Sequence, residues 1–192
     1  KALDINIGGT QNNAFGSNAL GSNISGINNN AFGHSALISN TASDNNAFGS
    51  NTLNGTITGT RNCGFGTTVL SGISTADDCT AMGYNALTLN TSGEMTAFGS
   101  KALDSNTSGA RNTAVGFNTL TANWTGSDCT ALGHNALAAN TGNSNTAIGS
   151  SALDSNTSGV RNTALGNTSL TANLIGTDNT GVGEAALQLC TG

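Results

Sequence analysis

The tripeptide Ala/Gly–apolar–Gly recurs eleven times along this 192-residue chain, ending at Gly16, Gly33, Gly49, Gly66, Gly83, Gly99, Gly116, Gly133, Gly149, Gly166 and Gly183. Successive gaps are 17, 16, 17, 17, 16, 17, 17, 16, 17 and 17 residues. A leucine stands four residues after every one of these glycines, from Leu20 to Leu187, and Leu3 continues the series backwards. Positions are given below as offsets from this repeat glycine. One unit reads N-T-A-φ-G-x-x-A-L-x-x-N-t-x-G-x-x. A unit this short is too small for two helices and a turn, and it must stack on its neighbours to bury anything. The gaps group as 17, 17 and 16, a 50-residue super-repeat, and residues 101–111 (KALDSNTSGAR) nearly match 151–161 (SALDSNTSGVR). The chain therefore reads as one repeat domain, 1–192, with super-repeats at 1–50, 51–100, 101–150 and 151–192. Because it starts and stops within a repeat, it is expected to be a section of a longer chain.

Composition narrows what such a stack can be. Gly (27), Asn (29), Thr (28) and Ser (20) fill more than half of the chain, whereas Leu, Ile, Val and Phe together supply 36 residues. Disorder usually accompanies low apolar content, but with high charge and abundant proline. Here only 8 % of residues are charged, the net charge is −5, and there is no proline. Five Lys and Arg residues are too few for a nucleic-acid partner, which needs many phosphates neutralised. No run of 18 apolar residues is present, so no membrane insertion is expected. The missing proline and the glycine spacing exclude collagen.

Helix is penalised throughout, since each unit carries several Gly and Asn residues and Gly alone costs about 0.8–1.0 kcal/mol relative to Ala. The segment T-A-φ-G alternates as a short strand should. The x-A-L segment reads as a second short strand, and N-T-x-G as the turn between coils. The predicted fold class is all-β: a parallel β-solenoid (β-roll or triple β-helix) of about eleven 16–17-residue coils, a rod about 50 Å long at one coil per ~4.8 Å. Parity puts Ala at −2 and Leu at +4 on one face, with Thr at −3 and the apolar residue at −1 on the other. The invariant Leu column is the candidate interior. The −1 column then remains as a continuous stripe: Phe15, Phe32, Phe48, Phe65, Met82, Phe98, Val115, Leu132, Ile148, Leu165 and Val182. An exposed stripe of that length would be a liability or an interface; self-association is expected, and a narrow coil suits a homotrimer about an axis parallel to the rod. The alternative is a compact monomer with both columns inside.

The unit N-T-A-φ-G-x-x-A-L resembles the head repeats of trimeric autotransporter adhesins. It is more similar still to NTAxGxxAL repeats in tail fibres and spikes of phages and large viruses. The resemblance runs from Lys1 to about Leu189. It implies a trimeric β-roll or an intertwined triple β-helix on a virion or cell surface. The adhesin repeat is a few residues shorter, and no membrane anchor, coiled-coil stalk, receptor-binding tip or self-cleaving chaperone stands in this chain. The function expected is the structural shaft of a viral or phage fibre supporting host attachment. Its partners would be further copies of itself, other fibre or particle components, and host-surface glycans bound with avidity. The alternative is a bacterial adhesin head, and a third reading is an ice-binding solenoid built on the −3 threonines, Thr80 to Thr180.

Residues that could carry chemistry fall into columns, and catalysis needs convergence. At −5, Arg61, Arg111 and Arg161 recur every third coil, each followed one coil on by Asp78, Asp128 or Asp178. Pairing along the rod or between protomers is expected, with Asp77-Asp78 as the one candidate for a calcium site. His34 and His134 share the +1 column six coils apart, too far for one metal unless a trimer gathers three copies of His34. Cys63, Cys79, Cys129 and Cys190 lack zinc or C-x-x-C spacing and read as free thiols replacing Asn or Thr. The Asn column at +7, including Asn23, Asn40, Asn106 and Asn156, is expected to form a hydrogen-bonded ladder. Sequons such as Asn123-Trp124-Thr125 arise by chance in so Asn/Thr-rich a chain. No catalytic, cofactor-binding or metal-binding residue is expected, and no enzyme.

Overall fold

The computed structural model describes residues 1–189. Eleven three-residue strands, from Asn13–Phe15 to Thr180–Val182, form one parallel sheet whose spatial order is the chain order. Consecutive repeats pair directly and in register, for example Thr113↔Thr130, Ala114↔Ala131 and Val115↔Leu132. This is an all-β solenoid of about ten turns, in which each rung of the chain lies on the previous one. Three two-stranded parallel sheets lie further along the coil: Ile5–Asn6 with Ser22–Asn23, Ser39–Asn40 with Thr56–Ile57, and Ala122–Asn123 with Ala139–Asn140.

The second strand is therefore not where the alternation suggested. The x-A-L segment is a turn, and the strand comes later, ending at the +7 asparagine or, in Thr56–Ile57, at the isoleucine that lies opposite Asn40. The reason lies in the backbone. Residues at +2 and +4 are left-handed in every coil, as at Asn118 (φ 54°) and Leu120 (φ 48°). A strand points successive side chains to opposite faces. The two left-handed residues instead let Ala at +3 and Leu at +4 both turn inward. Ala136 and Leu137, like Ala152 and Leu153, are fully buried neighbours.

This conformation explains why the column is leucine and never isoleucine or valine. A left-handed residue costs about 1–2 kcal/mol, and a β-branched side chain is a real outlier there. Burial of a leucine contributes about 1.5–3 kcal/mol, enough to offset the cost. The interior is completed by Ala at −2, buried in the central coils as at Ala97, Ala114 and Ala131. The Leu column is thus inside, as its invariance indicated. The −1 column is outside, so the compact arrangement with both columns buried is not the one adopted.

The repeat glycine closes the sheet side of the coil. Gly133 has φ 136°, and a Cβ there would lie 2.6 Å from the carbonyl oxygen of Gly149 in the next coil. Both the conformation and the rung spacing demand glycine.

Two asparagine ladders run inside the rod. The +7 ladder was expected: Asn123 donates its side-chain amide to Asn106 Oδ1 (2.9 Å), and Asn140 donates to Asn123 Oδ1 (3.0 Å). The same amide also caps the corner that follows. In 17-residue coils it reaches the carbonyl three residues on, as from Asn106 to Gly109 (2.8 Å) and from Asn156 to Gly159 (2.9 Å). In 16-residue coils it reaches the carbonyl two residues on, from Asn40 to Ala42 (2.7 Å) and from Asn140 to Gly142 (2.8 Å). The super-repeat is thus one shortened corner in every three. The second ladder, at −4, is the leading N of the repeat profile, to which sequence reasoning gave no role. Asn145 Oδ1 accepts the main-chain N–H of Asn162 (2.9 Å), while Asn145 Nδ2 donates to the Gly159 carbonyl (2.8 Å). Buried amides with partners on both sides satisfy the corner backbone that a thin apolar core would strand.

Candidate functional site

The broadest candidate surface is the outer face of the eleven-stranded sheet. Residues at −1 and −3 point outward from each strand because Ala at −2 points in. The −1 side chains stack rung on rung: Phe32 and Phe48 have ring centroids 5.0 Å apart and planes within 4°. Stacking covers only their flanks, so Phe65 remains 54 % exposed and Leu132 and Leu165 45 %. The stripe changes character along the rod. In the first coils it is Phe, beside an outward amide ladder in which Asn13 donates to Asn30 (2.8 Å) and Asn30 to Asn46 (2.7 Å). From Thr113 onward it is aliphatic, beside threonine in every coil. No charge interrupts the −1 and −3 columns from Asn13 to Val182.

The charged column sits at another corner. Arg61, Arg111 and Arg161 each grip the aspartate of the next coil, Asp78, Asp128 and Asp178, through two hydrogen bonds of 2.7 and 2.8 Å. The pairs run along the rod within one chain. Each aspartate pKa is held below the ordinary value by the guanidinium hydrogen bonds, and each arginine pKa is raised in return. All three pairs are exposed, so they set register more than stability.

Asp77 and Asp78, the calcium candidates, border a groove of about 310 Å³ with Glu94 and Arg111. Their carboxylates do not converge. Asp77 accepts the main-chain N–H and hydroxyl of Thr60 (2.6 and 3.0 Å), while Asp78 is held by Arg61. Among the described residues, no three His, Cys, Asp or Glu side chains come together as metal ligands.

His34 and His134 are both exposed on the outer face. His134 stacks on Phe117 of the preceding coil, with centroids 5.5 Å apart and planes within 11°. Asp154 lies near His134, and its pKa is raised by partial burial against the opposing pull of that imidazole.

Cys63, Cys79 and Cys129 are free thiols, and Cys190 lies outside the described residues. Cys79 and Cys129 replace asparagine in the −4 ladder. Their main-chain N–H groups still reach Asn62 and Asn112 (3.0 and 2.9 Å), and the Cys129 thiol lies 3.3 Å from the Gly142 carbonyl that an amide would otherwise cap. Burial pushes the Cys79 thiol up to about 11 and raises Cys129 in the same direction. Both thiols are therefore protonated and inert at neutral pH.

No helix among the described residues is long and apolar enough to cross a membrane. No family model, no curated protein and no solved structure matches the chain.

Proposed function

We propose that the chain is a rigid structural rod, a shaft section of a viral or phage fibre or spike, which self-associates as a homotrimer through its −1 stripe and supports host attachment. The observation that carries this reading is the stripe itself. An uncharged column of Phe, Met and aliphatic side chains faces outward on every coil, with exposures such as 54 % at Phe65 and 65 % at Val182. Exposed apolar surface of this continuity marks an interface. Three copies packed about the stripe would bury it and convert a thin solenoid into a stiff shaft. The repeat's resemblance to fibre and spike repeats supplies the setting, on a virion or cell surface, with glycan contacts multiplied along the rod. The head of a bacterial adhesin is the alternative setting for the same rod, and flanking sequence distinguishes them: a stalk and membrane barrel for the adhesin, a particle-attachment or chaperone domain for the fibre.

The test is light scattering at micromolar concentration. A particle of three chains is expected. A single-chain mass of 18.9 kDa overturns the self-association. Phe15→Ser, Phe48→Ser and Phe98→Ser together should dissociate the trimer with the β circular dichroism retained. Asn23, Asn106 and Asn156 are buried ladder members, so changes there would test folding and not the surface. The matched control is instead Ile24→Ser, Trp124→Ser and Leu174→Ser, which removes exposed apolar side chains from a different column and should leave the mass unchanged.

A further inference from the structure

The short-strand face carries a feature unlike the sheet stripe. Ile24, Trp124 and Leu174 occupy the +8 column at multiples of the 50-residue super-repeat, and Ser74 fills the remaining place. Trp124 is the chain's only tryptophan and is 57 % exposed. It borders a shallow hollow of about 190 Å³ lined by Ala122, Ala139, Asn140, Thr141 and Thr157. The lining contains no charged side chain.

The hydrogen bonds around the hollow define what it can accept. Thr141 donates its hydroxyl to the Thr157 carbonyl (2.6 Å), and Thr157 donates to the Leu174 carbonyl (2.7 Å). A hydroxyl that has donated inward keeps only lone pairs to offer outward. The Asn140 amide is likewise spent, on Asn123 Oδ1 and the Gly142 carbonyl. Main-chain groups here are used in the rungs, as in Ala122 N–H to the Ala138 carbonyl (2.9 Å) and Ala139 N–H to the Asp154 carbonyl (3.1 Å). The hollow therefore offers an aromatic face, methyl groups, acceptor oxygens and the indole N–H. An anion finds no cation there, and a peptide strand finds no free main-chain edge. A ligand with an apolar ring face and a rim of hydroxyl donors fits each of these groups.

We propose that Trp124 is the platform of a neutral-saccharide subsite, in which a sugar ring lies against the indole and donates hydroxyls to Thr141 and Thr157. The site uses a different column from the sheet stripe, so it stands or falls separately from self-association. In a trimer it would occur three times per rod, which strengthens a weak site by avidity.

The single tryptophan gives a clean readout. Neutral gluco-, galacto- and manno-oligosaccharides are titrated into the intact chain while its emission is followed. At least one should give a saturable shift. Calorimetry with that sugar should then show affinity roughly tenfold weaker in Trp124→Ala, partial rescue in Trp124→Tyr, and weakening in Thr141→Val, which keeps the methyl and removes the acceptor. Light scattering and circular dichroism should match the parent chain in each variant. The proposal is overturned if no neutral oligosaccharide gives a saturable shift, or if Trp124→Ala binds as tightly as the parent. It also fails if Thr141→Val leaves affinity unchanged, or if only an apolar peptide or a charged glycan binds.

Discussion

At the residue scale, the most demanding position is the leucine at +4. It must be large enough to fill the coil and unbranched enough to sit at φ near 50°. Two substitutions at Leu120 separate these demands. Leu120→Ala removes buried volume and is expected to cost about 2–5 kcal/mol. Leu120→Ile conserves volume, yet it should still cost about 1–3 kcal/mol through backbone strain. Urea unfolding measures both, and an Ile variant as stable as the parent would contradict the strain argument. The cysteines give a second residue-scale expectation. With its thiol near 11 rather than 9.0, Cys79 holds about a hundredfold less thiolate at pH 8 than an ordinary cysteine. Half-buried Cys63 should alkylate in the native rod while Cys79 and Cys129 do so only after unfolding, as peptide mapping would resolve. A folded pKa raised above the unfolded one means that the stabilisation is complete below about pH 9. It is lost as pH rises through about 11.

At the scale of the coil, each element tolerates change at one place and not at another. The corner after the +7 asparagine exists in two lengths, because the same amide caps a carbonyl two or three residues on. Deleting Ser108 turns Asn106-Thr107-Ser108-Gly109 into Asn106-Thr107-Gly109, which copies the natural short corner Asn140-Thr141-Gly142. That deletion should change stability by only about 1 kcal/mol. Deleting Ala114 from the strand moves every following side chain to the other face, and should unfold the central coils. Comparable losses of melting temperature in the two variants would refute this account of the super-repeat. The ladders show the same logic. In the +7 ladder Ile57 (at +8, opposite Asn40) and Ile73 stand on adjacent coils, as do Cys79 and Met95 in the −4 ladder, where Cys129 is a further, isolated replacement. A run of two leaves no more broken ladder ends than one.

At the scale of the whole molecule, nearly every corner is bonded to the coil beside it. Leu120 N–H reaches the Ala136 carbonyl (3.1 Å) even from within a turn. Its three bidentate ion pairs are spent within the chain, and its apolar stripe carries no charge. Self-association through that stripe should therefore persist in about 1 M salt, where surface electrostatics are screened to a few ångströms. A trimer that falls apart under those conditions would point to charged contacts instead.

Much of this architecture is legible in the sequence, because a solenoid converts period directly into position. The repeat glycines and leucines by themselves indicated the parallel stack, the rung register and the Leu column as interior, whereas the tertiary structure decided that the −1 column faces outward and that the Arg–Asp pairs close within one chain. Alternation did not locate the second strand, since side-chain parity fails wherever the chain enters the left-handed region, as it does at Asn118 and Leu120. The −4 ladder stood in the repeat profile as its leading N, but only the tertiary structure decided that its amides face inward. Trp124 gave no signal in the repeat beyond being unusual. Its setting depends on which hydroxyls have already donated their protons to neighbouring coils, and on how a shallow hollow opens between stacked rungs. Periodicity fixes where a residue sits along and around a coil, whereas what its polar atoms still have to offer depends on partners brought together across coils.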